Sequence, residues 1–169
     1  MNIYVVQTSK KNIAQVFFKE KKFECFVGKN GIGKKTREGD FITPKGSFKM
    51  KKIYFREERI NLVQSGIPLK KIKKTYSWCV DPKNKNYNNF LQKPLNCEYE
   101  NLYRNDNLYD IIIVLDYNIN PIKKYRGSAI FVHCSEKNRN FTEGCIAINK
   151  NIILKLIREI TPCSRLIIF

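Results

Sequence analysis

The sequence predicts a mostly-β fold, a β-sandwich of mixed sheets with one or two short helices. Three observations support this prediction. Short segments rich in β-branched and aromatic residues recur along the chain and are separated by polar turns. Two further segments are almost continuously apolar, as is typical of buried strands. Only one stretch, close to the C-terminus, spaces its apolar side chains as a helix does.

The N-terminal segments predict an antiparallel meander. Strands are expected over residues 3–7, 13–19 and 23–27, with turns at 9–12 and at Lys21-Lys22. A glycine-rich, charged loop follows over 28–40. Gly28 and Gly33-Lys34 have the spacing of a phosphate-binding loop, but Lys35 stands where such a loop needs Ser or Thr, and no helical pattern follows. The sequence therefore excludes a nucleotide site here.

The remaining elements follow in order along the chain. A turn is expected at 43–46 and a strand at 48–55, and residues 56–107 predict irregular structure, with a structured loop from Trp78 to Asn89. The basic run 70–74 is typical of a solvated face. Buried strands are expected at 110–115 and 128–134, and a closing strand at 164–169. Asn149 is the expected N-cap of a helix that continues to Ile160.

Length and composition indicate one domain over residues 1–169. The chain has a mass of 20.0 kDa, and no linker or internal repeat divides it. We expect a monomer. No apolar stretch is long enough to span a bilayer, and no signal peptide is visible.

The net charge of +17 has two interpretations. It predicts an anionic partner such as nucleic acid or a membrane surface. It is also what a chain dominated by Lys, Asn and Ile carries for compositional reasons, and only 8 of the 32 basic residues are Arg, the residue that phosphate and base recognition favour. The compositional interpretation is preferred, and no nucleic-acid partner is expected.

The chemistry of the chain is expected at its single histidine. His133 precedes Cys145 by twelve residues, and imidazole is the side chain whose ordinary pKa lies nearest neutrality. A cysteine becomes a strong nucleophile beside such a base. Gly144 permits a tight turn, so that the amides of Gly144 and Cys145 could bind an oxyanion, and a backbone carbonyl near Cys134 or Ser135 could orient the imidazole.

Other interpretations of these residues stay open. The segment 144–148 could be an ordinary buried strand and His133 a core residue. Cys134 is a rival nucleophile, but it should point away from His133 if both lie on one strand. The six cysteines form no CxxC pair, and adjacent residues seldom bind the same ion, so no metal and no other cofactor is expected.

Four segments follow one another along the chain: GKKTREGD with TPKGSF at residues 33–48, WCVDP with YN at 78–88, GSAIFVH at 127–133 and TEGCIA at 142–147. Together and in this order they resemble the L,D-transpeptidase catalytic domain (YkuD) family of bacterial enzymes. The resemblance covers most of the chain. It implies a β-sandwich of this family, Cys145 as nucleophile, His133 as base, and the amides of Gly144 and Cys145 at the oxyanion.

The resemblance also implies a substrate and a place of action. The substrate would be a peptidoglycan stem peptide, and the site of action would be the cell envelope or periplasm. Asp81 and Tyr87, from the second segment, are candidate substrate-binding residues. Many family members carry His where this chain has Glu143 and Arg where it has Ala147. Candidate replacements for that arginine are Arg126 and Arg139.

The expected function is therefore L,D-transpeptidation. The Cys145 thiolate would form a thioester with the third stem residue and pass it to an amine of another stem. With water as acceptor, the enzyme would be an L,D-carboxypeptidase. Two competing hypotheses are a non-catalytic basic binding module, whose binding would depend steeply on salt, and a different Cys–His acyltransferase.

Overall fold

The structure is a computed structural model and describes residues 1–62, 64–93 and 96–169. Within these residues it contains fourteen strands and one helix. The elements are β1 (Asn2–Gln7), β2 (Ile13–Phe18), β3 (Lys21–Phe26), β4 (Ile32–Gly33), β5 (Thr43–Pro44), β6 (Gly46–Phe55), β7 (Leu69–Lys71), β8 (Tyr76–Cys79), β9 (Phe90–Gln92), β10 (Tyr99–Asn101), β11 (Ile111–Leu115), β12 (Phe131–Cys134), β13 (Ile146–Ile148), α1 (Lys150–Glu159) and β14 (Arg165–Ile168). The predicted mostly-β class with mixed sheets is confirmed.

A nine-stranded mixed sheet encloses the main core. Its order is β11-β12-β13-β3-β2-β1-β14-β6-β7, and β6 pairs with β11 as well. Because of this last pairing, the strands from β11 to β6 in this order form a closed ring. Their inward-facing side chains meet in one apolar cluster. The pairs β1–β14, β12–β13 and β6–β7 are parallel, and the other pairs of this sheet are antiparallel.

The predicted meander of β1, β2 and β3 is confirmed, with one correction to its second turn. Lys21 and Lys22 are not a turn but the first residues of β3, paired with Phe18 and Phe17. The chain reverses instead at Lys19 and Glu20. Lys19 adopts a positive φ of 44°, and the Lys21 amide donates a hydrogen bond to the Lys19 carbonyl. A left-handed residue in a two-residue connection matches the twist of the strands that it joins.

Three further boundaries differ from the sequence prediction. Thr43–Pro44 is a short strand parallel to Ile32–Gly33 and not part of a turn. The strand expected over 128–134 begins only at Phe131, since Ala129 has a φ of +51° that extended strands do not contain. Trp78 lies in β8 and not in a loop. All four residues of β8 are buried, so its sequence does not alternate between polar and apolar residues as a half-exposed strand does. The pattern that would predict a strand is therefore missing.

A three-stranded sheet, β10-β8-β9, covers one part of the outer face of the main sheet. It builds a second apolar cluster from Trp78, Tyr76 and Leu102 on one side and Ile112 and Phe131 on the other. The indole of Trp78 stacks edge-on against Phe131, with ring centroids 5.2 Å apart. The strands β8, β9 and β10 form this covering sheet in a region for which the sequence predicted irregular structure.

The helix α1 follows the sequence prediction closely. The Asn149 side chain accepts a hydrogen bond from the amide of Asn151 at 2.9 Å, as an N-cap does. Ile153, Leu156 and Ile157 are buried in the main core. No helix in the described part of the chain is both long and apolar enough to cross a bilayer.

Candidate active site

Cys145 and His133 line one cavity of about 370 Å³ at the edge of the three-stranded sheet. Cys145 is the residue immediately before β13. His133 lies on β12 in register with Ala147 on the neighbouring parallel strand β13, and Ala147 also lines the cavity. Cys134 faces the opposite side and is packed in the main core, as the sequence predicted.

The imidazole of His133 is held as a neutral base. Its Nδ1 lies 2.9 Å from the carbonyl oxygen of Cys134, within the short stretch where the sequence predicted an orienting carbonyl. Because a carbonyl only accepts, Nδ1 carries the hydrogen and Nε2 is left as the unprotonated nitrogen. Burial, aided by the charges of Arg104 and Arg139, lowers the pKa of His133 to about 4. The edge of the ring packs against Tyr109, with centroids 5.4 Å apart.

The thiol of Cys145 is bonded to backbone groups. It donates to the carbonyl oxygen of Ala129 at 3.1 Å and accepts from the amide of Phe131 at 3.3 Å. Burial and then the charge of Glu100 raise its pKa to about 12. Among the described residues no hydrogen bond joins the thiol to His133. The thiol and the imidazole are therefore both neutral in this state.

The backbone on either side of the thiol is fixed by hydroxyl groups. The carbonyl of Cys145 accepts from Thr142 at 2.6 Å and from Thr43 at 3.3 Å. The amide of Gly144 donates to the Thr142 hydroxyl at 3.1 Å, so it is committed within this loop. The amide of Cys145 has no hydrogen-bond acceptor in the described part of the chain.

Only glycine fits at position 144. Its φ is +142°, and a Cβ there would lie 3.0 Å from the carbonyl oxygen of Ile42. Such a φ is rarely adopted by residues with a side chain. The glycine thus lets the loop pass close to the 35–42 segment and turn into β13 with Cys145 facing the cavity.

The sequence matches the model of the L,D-transpeptidase catalytic domain family, YkuD, over residues 2–168. The chain belongs to this family. The family consists of acyltransferases that act on peptidoglycan peptides. A comparison with curated proteins gives no match.

Two solved structures resemble the YkuD domain described here. One is the helical cell shape determining protein Pgp2 from Campylobacter jejuni, with a TM-score of 0.47, 16% identity, and coverage of 98% of this chain and 46% of that chain. The other is Bd1075 from Bdellovibrio bacteriovorus, with a TM-score of 0.42, 13% identity, and coverage of 99% and 47%. The present chain thus spans less than half the length of either.

The predicted substrate-binding residues of this YkuD domain fall in different places. Arg139 lines the cavity beside Cys145. Arg126 lies outside it and donates to the carbonyl of Thr36 at 3.4 Å. The Asp81 carboxylate also lies outside and accepts from the backbone amide of Lys83 at 2.9 Å. Substrate contact by Arg126 and Asp81 therefore stays a prediction that the cavity lining does not support.

Tyr87 does not line the cavity of the YkuD domain, but it contacts a residue that does. It is 1% exposed, and its hydroxyl donates to the carboxylate of Glu38, which does line the cavity. The same carboxylate oxygen accepts from the Ser128 hydroxyl at 3.0 Å. Tyr87 therefore holds Glu38 in place, which differs from the substrate contact that the sequence predicted for it.

Several cavity residues of the YkuD domain were not found from the sequence. Glu98, Glu100, Arg104 and Tyr109 all line the cavity, and all come from the stretch around the covering sheet. The Tyr109 hydroxyl donates to Glu100, and the Arg104 guanidinium lies 5.2 Å from the Tyr109 ring centroid. No motif or periodicity marks these positions, so only the packing of the covering sheet on the main sheet brings them to the thiol.

Alkylation should report the neutral state of the thiol in this YkuD domain. At pH 7 we expect iodoacetamide to modify exposed Cys163 well before Cys145, because a thiol with a pKa of about 12 contains very little thiolate. Between pH 7 and pH 10 the Cys145 rate should rise about tenfold per pH unit. Peptide-level mass spectrometry of a time course measures both sites. A rate that levels off below pH 8 would instead indicate a resting thiolate–imidazolium pair.

Proposed function

We propose that this protein is a peptidoglycan L,D-transpeptidase that acts through a thioester on Cys145, with His133 as its base. One observation supports the proposal above the others. In this YkuD domain the thiol of Cys145, just before β13, and the neutral imidazole of His133 on β12 line one cavity, and Nε2 of this imidazole has no hydrogen-bond partner among the described residues. A buried imidazole with a free ring nitrogen is suited to general-base catalysis.

The first half of the reaction forms the thioester. The thiol leaves the Ala129 carbonyl, turns toward His133 and gives its proton to Nε2. The thiolate attacks the carbonyl carbon of the third stem residue, and the carbonyl oxygen becomes an oxyanion. His133 then gives the proton to the amine of the terminal D-alanine, the peptide bond breaks, and D-alanine leaves. The peptide is left as a thioester on Cys145.

The second half transfers the acyl group. An amine of another stem attacks the thioester carbon, Nε2 takes the proton from this amine, and the thiol of Cys145 is regenerated with that proton. The product is a new amide bond that joins two stems. With water in place of the amine, the same steps release a tripeptide stem, which is the L,D-carboxypeptidase reaction.

Two backbone amides stabilise the charges that develop. The free amide of Cys145 is the donor for the oxyanion, and the amide of Phe131 already donates to the sulfur and stabilises the thiolate. Preorganised amides in a site with little water typically contribute about 10²- to 10³-fold per donor. Gly144 contributes the backbone conformation, since its own amide donates to Thr142. The stem peptides on which this chemistry acts lie in the cell envelope, where we propose that the protein works.

The proposal is tested with disaccharide-tetrapeptide stems and the purified protein. Mass spectrometry should show loss of the terminal D-alanine together with cross-linked dimers, and incubation with a carbapenem should give one covalent adduct on Cys145. Tripeptides without dimers would assign the carboxypeptidase reaction instead. A folded protein that forms neither product nor adduct would contradict the proposed chemistry, and salt-sensitive binding to an anionic polymer would then favour the basic binding module.

A further inference from the structure

One cation is buried in the wall of the cavity beside Cys145. The side chain of Lys35 is 2% exposed, and Lys35 lines this cavity. Arg104 and Arg139 line it as well, but the side chain of Arg104 is 29% exposed and Arg139 is exposed to solvent. Lysine is almost never buried to this extent unless its charge is paired. Of the three cations, Lys35 is therefore the one whose charge is least screened by solvent.

Two glycines leave room for the Lys35 side chain. A Cβ at Gly127 would lie 2.3 Å from Cε and 2.8 Å from Cδ of Lys35, so a side chain at this position would displace Lys35. A Cβ at Gly144 would lie 3.4 Å from Nζ of Lys35. The aliphatic part of Lys35 thus packs on Gly127, and its ammonium lies beside Gly144, the residue that precedes the thiol.

The ion pair of Lys35 has its positive end at the cavity. The ammonium donates to the carboxylate of Asp40 at 2.6 Å and to the carbonyl of Ile42 at 3.4 Å, and Asp40 does not line the cavity. The Asp40 carboxylate also accepts from the backbone amides of Thr36, Arg37 and Ile42. These amides offset part of its negative charge, so the carboxylate cancels the field of the ammonium only in part. An ammonium has three N–H donors, and two are used by these bonds.

The charge of Lys35 opposes the groups that keep the Cys145 thiol neutral. Burial and the charge of Glu100 raise the pKa of Cys145, whereas the Phe131 amide and the charge of Lys35 lower it. The amide acts by a hydrogen bond of 3.3 Å to the sulfur, and the ammonium acts through space from beside Gly144. The thiolate is the nucleophilic form of cysteine. The ammonium therefore favours the form of Cys145 that reacts.

We propose that Lys35 is a positioning residue for Cys145: its ammonium, between Gly127 and Gly144, fixes the turn before the thiol and stabilises the negative charge that develops on the sulfur. The inference rests on the proposed function only for its catalytic consequence, which is faster formation of the thioester. The charge is in place before the reaction, because the ion pair and the two glycines hold the ammonium, and a preorganised charge needs no rearrangement when the thiolate forms. The thiol proton goes to Nε2 of His133, and Lys35 keeps its own protons.

Two variants of the ion pair test the inference in opposite directions. Asp40→Asn leaves the ammonium without its counter-charge, so the Cys145 thiolate is favoured more and its alkylation by iodoacetamide should become about fivefold faster. Lys35→Met combined with Asp40→Asn removes the cation as well, and alkylation should become about fivefold slower than in the unchanged protein. The rates are measured at pH 8–9 by peptide mass spectrometry and divided by the rate at exposed Cys163.

A purely structural role of the ion pair predicts a different pattern. Loosening of the 35–42 segment would open the cavity to the reagent and raise the Cys145 rate in both variants, so slower alkylation of the double variant reports the lost charge. Lys71→Met combined with Glu57→Gln removes an exposed ion pair away from the cavity and should leave the rate ratio unchanged. Circular dichroism verifies that each variant is folded. If Asp40→Asn is unfolded, the double variant and its control decide alone.

The inference would be overturned by an unchanged or faster rate in the folded double variant, or by equal slowing in folded Asp40→Asn. The outcome is separate from that of the proposed function, because alkylation needs no stem peptide: the thiolate displaces iodide. A protein with charge-dependent alkylation and no acyl transfer keeps the role of Lys35 and loses the transpeptidase assignment. A protein with acyl transfer whose alkylation does not depend on the ion pair keeps the function and loses the role of Lys35.

Discussion

Replacing Cys145 with alanine is expected to abolish acylation and to leave the fold intact. Among the described residues, the sulfur is hydrogen-bonded to the backbone of Ala129 and Phe131 and to no side chain, so its loss breaks no side-chain network there. Removal of one sulfur atom at the edge of the second core should cost about 1 kcal/mol of stability or less. The adduct with a carbapenem and the products from tetrapeptide stems should both fall below detection. Intact mass spectrometry and thermal unfolding measure the two effects.

Cys134→Ala is the matched control, because Cys134 is the neighbour of His133 in sequence and faces the other side of the sheet. Its thiol is 1% exposed in the main core, and burial raises its pKa to about 12. Acylation of this variant should continue at Cys145, while its stability falls more than that of Cys145→Ala. A covalent adduct on folded Cys145→Ala would assign the nucleophile to another cysteine and would rule out the proposed mechanism.

That His133 and Cys145 line the same cavity could be predicted because it depends on local patterns. Residues 131–134 alternate toward two faces of a strand, and this alternation separates Cys134 from His133 without any knowledge of the fold. The helix α1 and its Asn149 cap follow from periodicity and from one side chain within the same segment. The four ordered segments then relate Cys145 to a family whose model matches residues 2–168.

The wall of the cavity could not be predicted, because it comes from segments that are distant in sequence. Glu100 lines the cavity only because β10 pairs with β8, and Trp78 of β8 packs against Phe131 of β12. Lys35 lies beside the turn at Gly144 because residues 28–43 fold back over the start of β13. A sequence pattern reports which side of its own element a residue faces, and not which other element covers it.

The charge of the protein illustrates the same limit. A sum over all residues gives +17 and predicts attraction to anions at a distance. Five glutamates and three cations line the cavity, and two of these cations, Lys35 and Arg104, are paired with Asp40 and Asp106, so the cavity lining does not share the positive charge of the whole chain. At physiological ionic strength the Debye length is about 8 Å, so the distant lysines contribute little to the potential in the cavity.

Neutralising Asp40 should cost the fold a large part of its stability. Its carboxylate accepts from Lys35 at 2.6 Å and from the amides of Thr36 at 2.8 Å, Ile42 at 3.1 Å and Arg37 at 3.3 Å. Burial by itself raises the pKa of Asp40, but these donors outweigh it and hold the pKa below its ordinary value. Because the folded-state pKa is the lower one, this contribution to stability is present above the ordinary pKa and is lost as the pH falls through the folded value.

Asp40→Asn is expected to lower the free energy of unfolding by about 3–5 kcal/mol at pH 7, because the Lys35 ammonium stays buried without a counter-charge. Urea unfolding measures this loss. The double variant Lys35→Met with Asp40→Asn should recover part of it, since a buried pair replaced as a whole leaves no unpaired charge. Glu159→Gln breaks the exposed pair with Lys19 and should cost less than about 1 kcal/mol. If Asp40→Asn cost no more than this control, the 35–42 segment would not depend on its ion pair, and the position of Lys35 beside Gly144 would need another cause.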